Sequence, residues 1–446
     1  MSELGFRVLA FSDSHVGYAA KCRSHKSGLN MREVDGMQAL KRTVDIAINE
    51  QVDLVLHGGD LFHKSHPSIT SIVYVQQQLQ RLAKAGIPVV GNTGNHDASN
   101  ERSKAPATAA VHDPDRGITM VTDPYQIVRP VEGLAIHMLS HYGLAQAERV
   151  LPEPVDGCIN ILSAHGAAMV PGHEVFHCVD SPGEQPIGLD LLHDDRMAAK
   201  ILGHYHGMGE VLPSVWYCGS AIRRGFSDPE GGRGALLLNI DSDGTVAIEK
   251  KFIAQRAQHD LPMIDAKGLT GADVEELIRL NLASVDPVDA IVRQVVKNCP
   301  TSVRRGIDQP AISKLMGDAL VWQPDFRRPE VAADSGERTV EGVSSSLATA
   351  GAANLPQMWT DWAGEYAASN VAEALRPVVM SEGFRLLEAA STDVETGEYA
   401  APAGNSGVPV QAHAAHDSDA LVAADVASDD QPVADDDFLS AEEPPF

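Results

Sequence analysis

Residues 52–63, VDLVLHGGDLFH, constrain the fold of this chain more than any other stretch. Residues 52–57 read as a buried strand. The Gly58-Gly59 pair that follows lets the backbone turn sharply and lets a ligand come close before Asp60 is reached. A carboxylate delivered in this way to the rim of a sheet is a candidate metal ligand. Four other short segments end strand-like runs with side chains of the same kind: FSDSH with Asp13 and His15, GNHD with Asn95, His96 and Asp97, SAHG with His165, and GHYH with His204 and His206.

The surrounding pattern alternates. Residues 5–12 form a strand, and a loop with Lys21, Arg23, His25 and Lys26 follows. The apolar spacing of Val34, Met37, Leu40, Val44 and Ile48 predicts a helix over 33–50. After the 52–57 strand come a helix over 68–84 capped by Ser68 and a short strand over 87–90. Strand, helix, strand implies parallel strands with crossover helices, and ligands in such sheets gather beyond the carboxyl ends of the strands. Further strands over 133–139, 158–164, 199–203, 215–218 and 234–240, with a hairpin turn at 241–244, make the chain α/β. The expected architecture over residues 1–253 is a four-layer sandwich, two mixed sheets flanked by helices.

A smaller α/β pattern then restarts over 260–329: a strand at 263–265, a helix capped by Thr270 and Asp273, a strand at 290–296, a helix at 310–316 and a strand at 319–322. Residues 330–353 read as a linker and 354–390 as a helical segment. There Leu355, Met358, Trp359, Trp362 and Tyr366 share one face, and a second helix from Val371 is interrupted at Pro377. Such a stripe is either ordinary core or a partner-binding helix. Residues 391–446 read as an acidic disordered tail.

Formal net charge is −26, which argues against a generally basic nucleic-acid binder, but thirteen acidic residues and no basic one lie in the tail from Ser391 on. A cleft whose carboxylates are neutralised by divalent cations is still compatible with a phosphate substrate, because bound metals reverse the local sign. The five cysteines show no C-x-x-C pair, so neither a disulfide framework nor a zinc ribbon is expected. The N-terminus lacks the character of a signal peptide, and no apolar run of about 18 residues occurs. The expectation is a cytoplasmic protein without a membrane association.

Asp13, His15, Asp60, Asn95, His165, His204 and His206 are oxygen and imidazole donors. That set suits manganese, magnesium, iron(II) or zinc, and suits calcium poorly. Seven donors are too many for one ion. If Asp60 bridges, they divide into Asp13, His15, Asp60 and His206 around one ion and Asp60, Asn95, His165 and His204 around the other. His204 and His206 lie two apart, so on an extended segment both face the same way.

Together D-x-H, GGD, GNHD, a single His after a strand and G-H-x-H resemble the calcineurin-like metallophosphoesterase superfamily. Within it, Leu61-Phe62-His63, the GLNMREVDG segment over 28–36 and the YCGSAIRRGFSD segment over 217–228 resemble the SbcD-type nucleases of double-strand-break processing. The superfamily resemblance covers roughly residues 6–253, and beyond that it is a matter of layout, with 260–329 as a capping domain. It implies two divalent ions, manganese first among them, and hydrolysis of DNA phosphodiesters as exonuclease and endonuclease. Two cations about 3.5–4 Å apart can activate water for in-line attack and stabilise the departing oxygen. The resemblance also implies an SbcC-like SMC-type ATPase partner and a homodimer, in a bacterial cell or, for a phage protein, in the host cytoplasm.

By the same resemblance His96 is the proposed acid or transition-state stabiliser and His63 a histidine near the phosphate, with a solvated loop imidazole as the alternative for His63. Asp97 either orients His96 or caps the following turn. Arg223 and Arg224 are candidates for substrate phosphate, or else a solvated rim. Two other functions fit fewer features: a metallophosphodiesterase or phosphatase acting on other substrates, and a non-catalytic DNA-end scaffold.

Overall fold

Side chains alternate across a strand, so Val8 and Ala10 face one side of their sheet and Leu9 and Phe11 the other, and all four are buried. A strand buried on both faces lies inside a layered protein. The computed structural model describes residues 4–99, 104–146, 150–173, 185–329, 376–378, 381 and 385.

The first half runs β1 (Leu4–Phe11), α1 (Met31–Asn49), β2 (Leu54–His57), α2 (Ile69–Lys84), β3 (Val89–Gly91) and β4 (Ile118–Met120). It continues with β5 (Tyr125–Val131), β6 (Leu134–Leu139), α3 (His141–Leu144), β7 (Ile159–His165), β8 (Ala167–Ala168), β9 (Pro186–Ile187), α4 (Leu189–Leu192), β10 (Ala199–Gly203), β11 (Gly209–Leu212) and β12 (Val215–Tyr217). The long hairpin β13 (Arg233–Asp241) and β14 (Val246–Ile253) returns beside β1.

Two six-stranded sheets result. In the first, β14-β13-β1-β2-β3-β4, the strands β1 to β4 are parallel. In the second, β11-β12-β10-β7-β6-β5, the central four are parallel and each edge strand is antiparallel. Val8, Ala10, Leu54, Leu56 and Val90 of the first sheet meet Leu134, Ile136, Ile161, Ala199 and Ile201 of the second in a shared core. The other face of the first sheet is covered by α1 and α2 through Met37, Leu40, Val44, Val75, Leu79 and Leu82. The outer face of the second is covered more thinly, by Leu191 and Leu192 of α4 and by Ala168 and Ile187 of the β8–β9 pair. This is the four-layer α/β arrangement, and its ends dictate the site. Asp13, Asp60, Asn95, His165 and His204 lie at, or within four residues beyond, the ends of β1, β2, β3, β7 and β10.

Helix α1 starts two residues earlier than its apolar spacing predicts because Asn30 caps it, in a capping box with Glu33. Ser68 caps α2 as expected.

A three-stranded parallel sheet follows, β15 (Gln258–Asp265), β16 (Ile291–Lys297) and β17 (Val321–Phe326), with α5 (Gly271–Leu282), α6 (Thr301–Arg305) and α7 (Gln309–Leu315) packed on it. Strands β15 and β17 are longer than the sequence predicts because each contains a proline, Pro262 and Pro324, that reads as a strand breaker. Both are edge strands, where a missing N–H costs no ladder bond.

A buried polar seam joins this small unit to the sandwich. Asp35 of α1 accepts two bonds from Arg256, at 2.7 and 2.8 Å, and one from Arg32 at 2.6 Å. Arg256 also donates to the carbonyl of Asp289, and Arg32 to that of Arg223. Removing one member of a buried ion network strands the others, at a cost of about 3–5 kcal/mol. Asp35→Ala is expected to lower unfolding free energy by about that much in chemical denaturation. A change under about 1 kcal/mol, typical of an exposed pair, would contradict this reading.

The 330–353 linker, the Trp359 and Trp362 face and the 391–446 tail lie outside the described residues. Residues 376–378, around Pro377, are helical, and the rest of the second helix expected from Val371 lies outside the described residues. Among the described residues no helix is long and apolar enough to cross a membrane.

Candidate metal centre

Beyond the strand ends the loops after β1 and β2 keep running side by side. Asp13, His15 and Val16 donate their amides to the carbonyls of Gly59, Asp60 and Leu61 at 2.9, 3.0 and 2.9 Å. The loop after β3 is clamped to the β2 loop by Asp97. Its buried carboxylate accepts from the amides of Leu61, Phe62 and Gly94 at 3.1, 2.8 and 3.1 Å. The second sheet closes the ring: the His204 amide donates to Asp13 at 3.0 Å, and His165 Nδ1 donates to the Gly58 carbonyl at 2.9 Å. The approach is so close that a Cβ on Gly59 would collide with His165 and one on Gly94 with Asp60. Asp13, His15, Asp60 and His204 all have positive φ, 49°, 43°, 56° and 99°. Strain of this kind persists only where the surroundings impose it, and it concentrates at functional sites.

The structure brings all seven expected donors together in two groups that meet at one oxygen. In the first, His15 Nε2 lies 3.2 Å from His206 Nε2, 3.6 Å from Asp60 Oδ2 and 3.9 Å from Asp13 Oδ1, and His206 Nε2 lies 3.8 Å from Asp13 Oδ1. In the second, Asn95 Oδ1 lies 3.1 Å from His165 Nε2 and 3.2 Å from His204 Nδ1, and His165 Nε2 lies 3.5 Å from Asp60 Oδ2. Asp60 Oδ1 is occupied by the His96 amide at 2.8 Å, which leaves Oδ2 facing both groups. Metal–ligand bonds of about 2.0–2.2 Å put neighbouring donors roughly 3–3.6 Å apart, and all but the two contacts to Asp13 Oδ1, at 3.8 and 3.9 Å, fall in that range. His15, His206, Asp13 and Asp60 are each buried, and buried donors facing one another at such distances fit a divalent ion better than they fit one another. Each group could hold one ion.

Residues 6–208 match the family of calcineurin-like phosphoesterases. This domain is a calcineurin-like phosphoesterase. The chain is 26% identical over 291 residues to the DNA double-strand break repair protein Mre11 of Haloferax volcanii, covering 64% of this chain and 60% of that one. It is 26% identical over 340 residues to the protein of the same name from Halobacterium salinarum, covering 73% and 81%. Over 92 residues it is 35% identical to that of Sulfurisphaera tokodaii, covering 21% and 22%. The aligned part thus spans from under a quarter to about four-fifths of these relatives.

The electrostatics of the phosphoesterase centre follow from burial. Burial opposes the charge on Asp60, but His165, His15 and His96 outweigh it and hold the carboxyl well below its usual range. Burial pulls His165 down, yet Asp60, Asp13 and the Gly58 carbonyl push it up to about 9. His15, buried with weaker compensation from Asp60, stays well below the ordinary value and neutral. A cation that enters therefore competes with a proton at His165 and with none at His15.

His96 Nδ1 bonds the His63 carbonyl at 2.9 Å, which fixes the ring and leaves Nε2 free. The His96 and His63 rings stack with centroids 5.3 Å apart, and His15 stands edge-on to both, at 4.7 and 5.5 Å. Burial, then His96, Arg224 and Lys64, pull His63 down to about 4. The expectation that Asp97 orients His96 fails: the Asp97 oxygens are taken by three loop amides, and the His63 carbonyl holds His96 instead. Burial and the charge of Asp60 raise Asp97 to about 7 against those three amides.

The two arginines part company. Arg224 lies 3.3 Å from His206 Nδ1, and its charge is felt by His15 and His63, so it borders the centre. The Arg223 guanidinium instead sits over Phe226 at 5.5 Å and 3.8 Å from Glu230. Sequence reasoning also missed Asp228, which bonds His206 Nδ1 at 2.9 Å and so leaves Nε2 to the centre. It missed Arg233 too, which is buried and donates to the carbonyls of His206 and Pro229 on either side of that contact. His57 sits behind the Gly58-Gly59 turn, 3.0 Å from Ser14 Oγ, and accepts from the Gly59 amide at 3.3 Å.

Proposed function

We propose that this chain is a two-metal phosphodiesterase that cleaves DNA at or near strand ends. The observation that carries the reading is Asp60 Oδ2, which stands 3.6 Å from His15 Nε2 and 3.5 Å from His165 Nε2 while Oδ1 is held by a backbone amide. One oxygen aimed at two donor sets is the arrangement that a pair of bridged ions requires. In this reading Asp13, His15, Asp60 and His206 hold one divalent ion and Asp60, Asn95, His165 and His204 the other, with manganese first by the resemblance to SbcD-type nucleases and magnesium, iron(II) or zinc also suited to the donors. Two such ions, when bound, polarise the phosphodiester and lower the charge cost of attack and departure.

The chain's own residues do the rest. His96, fixed by the His63 carbonyl, donates a proton to the departing oxygen from Nε2. His63, stacked on it, limits water on that flank, and Arg224 offers its guanidinium to the phosphate. Asp97 and Asp228 hold loop and ligand geometry.

The choice of DNA over other diesters is supported by similarity to relatives named for double-strand break repair. The SbcD-type resemblance of the motifs implies a homodimer and an SbcC-like SMC-type ATPase partner, and we place the docking segment at 354–390. Deleting 354–390 is then expected to abolish co-purification with that ATPase while sparing cleavage of short DNA, and unchanged co-purification would count against the docking role. The test of the function itself is incubation of the purified chain with labelled linear DNA and Mn²⁺, beside bis(4-nitrophenyl) phosphate, with and without chelator. The expected result is chelator-sensitive degradation of the DNA. Turnover of the small diester with intact DNA would reverse the substrate assignment.

A further inference from the structure

Three adjacent strands of the second sheet point the same way, in the order β10-β7-β6. In their register His165 pairs with Gly203, and Ala164 with both Leu202 and Leu139. The chain then places His204 immediately after β10, His165 at the end of β7 and His141 two residues after β6. Two of these three imidazoles belong to the metal centre. His141 belongs to none of the groups described so far.

Its position is fixed from several sides. The His141 amide donates to the Thr93 carbonyl at 3.0 Å, two residues before Asn95. Asn92 donates across the sheets to the Leu139 carbonyl at 2.9 Å, and Tyr142 Oη accepts the Ser99 amide at 2.9 Å. The residue is part-buried, and the charged groups that weigh on its ring are His165, Asp60 and His204. Those that weigh on His63 are His96, Arg224, Lys64 and Asp60. The His63 and His96 rings stack beside His15, and Arg224 meets His206, both of the first donor group. His141 instead follows β6, the neighbour of the strand that carries His165 of the second group. The centre therefore has two flanks, one bearing His63, His96 and Arg224 and the other bearing His141.

A phosphodiester has two ester arms. On the proposed function, which this inference rests on, the departing arm faces His96 and the retained arm leaves over the opposite flank. We propose that His141 is a substrate-binding residue that donates a hydrogen bond to the next phosphate of the retained strand, so that the site prefers a polynucleotide chain to an isolated diester. A small diester has no second phosphate and does not reach it. A hydrogen bond to a charged acceptor is worth about 1.5–3 kcal/mol, so its loss weakens strand binding at least about ten-fold.

The test compares the parent chain with His141→Ala and His141→Gln. Each is loaded with Mn²⁺, its manganese content is measured, and its kinetics are followed on a ten-nucleotide single-stranded DNA and on bis(4-nitrophenyl) phosphate. Oligonucleotide affinity is read separately by fluorescence anisotropy of the Mn²⁺-loaded chain with a cleavage-resistant phosphorothioate oligonucleotide. The alanine variant should raise KM for the oligonucleotide, and Kd in anisotropy, about ten-fold. Its kcat, manganese content and small-diester kinetics should stay within about two-fold, and the glutamine, which also donates, should recover part of the affinity.

Equal losses on both substrates, or loss of manganese, would make His141 a structural or metal-side residue and overturn the inference. Unchanged oligonucleotide affinity would overturn it as well. A parent chain that binds the oligonucleotide without cleaving it would refute the proposed nuclease while the anisotropy still decides the role of His141. A parent chain that does not bind the oligonucleotide refutes both.

Discussion

His96→Ala is expected to keep both metal ions and to lose about 10²–10⁴-fold in turnover on DNA, the usual contribution of a positioned proton donor. The expectation comes from how His96 is held. Its amide supports Asp60 Oδ1 and its Nδ1 is spoken for by the His63 carbonyl, so the ring's remaining nitrogen can face the reacting ester without ligating. Alanine keeps the amide, and with it the support of Asp60. The loss should be smaller on bis(4-nitrophenyl) phosphate than on DNA, because nitrophenolate leaves without a proton whereas an alkoxide does not. Elemental analysis and kinetics on both esters check this. Loss of metal together with activity would mean that His96 is a ligand.

Asp60→Asn should remove both activity and metal. Partners one step behind a ligand are worth about 10–100-fold. Asp60 serves both donor groups directly, so a loss of roughly 10³-fold or more is expected, with metal content falling below one ion per chain. Asparagine keeps the size and one acceptor, and the His96 amide can still bond it, so the fold should survive. What disappears is the negative charge that holds His165 protonated without metal and would hold the cations with it. Retention of two ions at full activity would eliminate the bridging role.

Much of this site is legible in the chain because it is made where buried strands end. Residues 54–57 and 89–91 are buried on both faces, their glycines mark the close approaches, and the donors follow within a few residues. The edges were harder to read. Strand β5 goes unannounced and β15 and β17 are announced only in part, because each contains a proline and is half exposed, yet all three are sheet edges where proline is tolerated. The supporting residues were harder still. Asp97 acts through amides 35 and 36 residues away, and Asp228 through a histidine 22 residues away, pairings that leave no periodic trace. Arg223 and Arg224 are a different matter. Neighbours on non-helical chain face opposite ways, so one of the pair had to turn from the centre. Arg223 stacks on Phe226 with Arg293 on the same ring at 4.5 Å, and its carbonyl accepts from Arg32 and Gln258 in the seam beside the small α/β unit.

The measurement closest to the central claim is electron paramagnetic resonance of the manganese-loaded chain, with metal content determined on the same sample. Two ions sharing Asp60 Oδ2 should give about two manganese per chain and an exchange-coupled spectrum, and Asp60→Asn should lose it. One ion per chain, or the six-line signal of isolated manganese at full loading, would contradict the account.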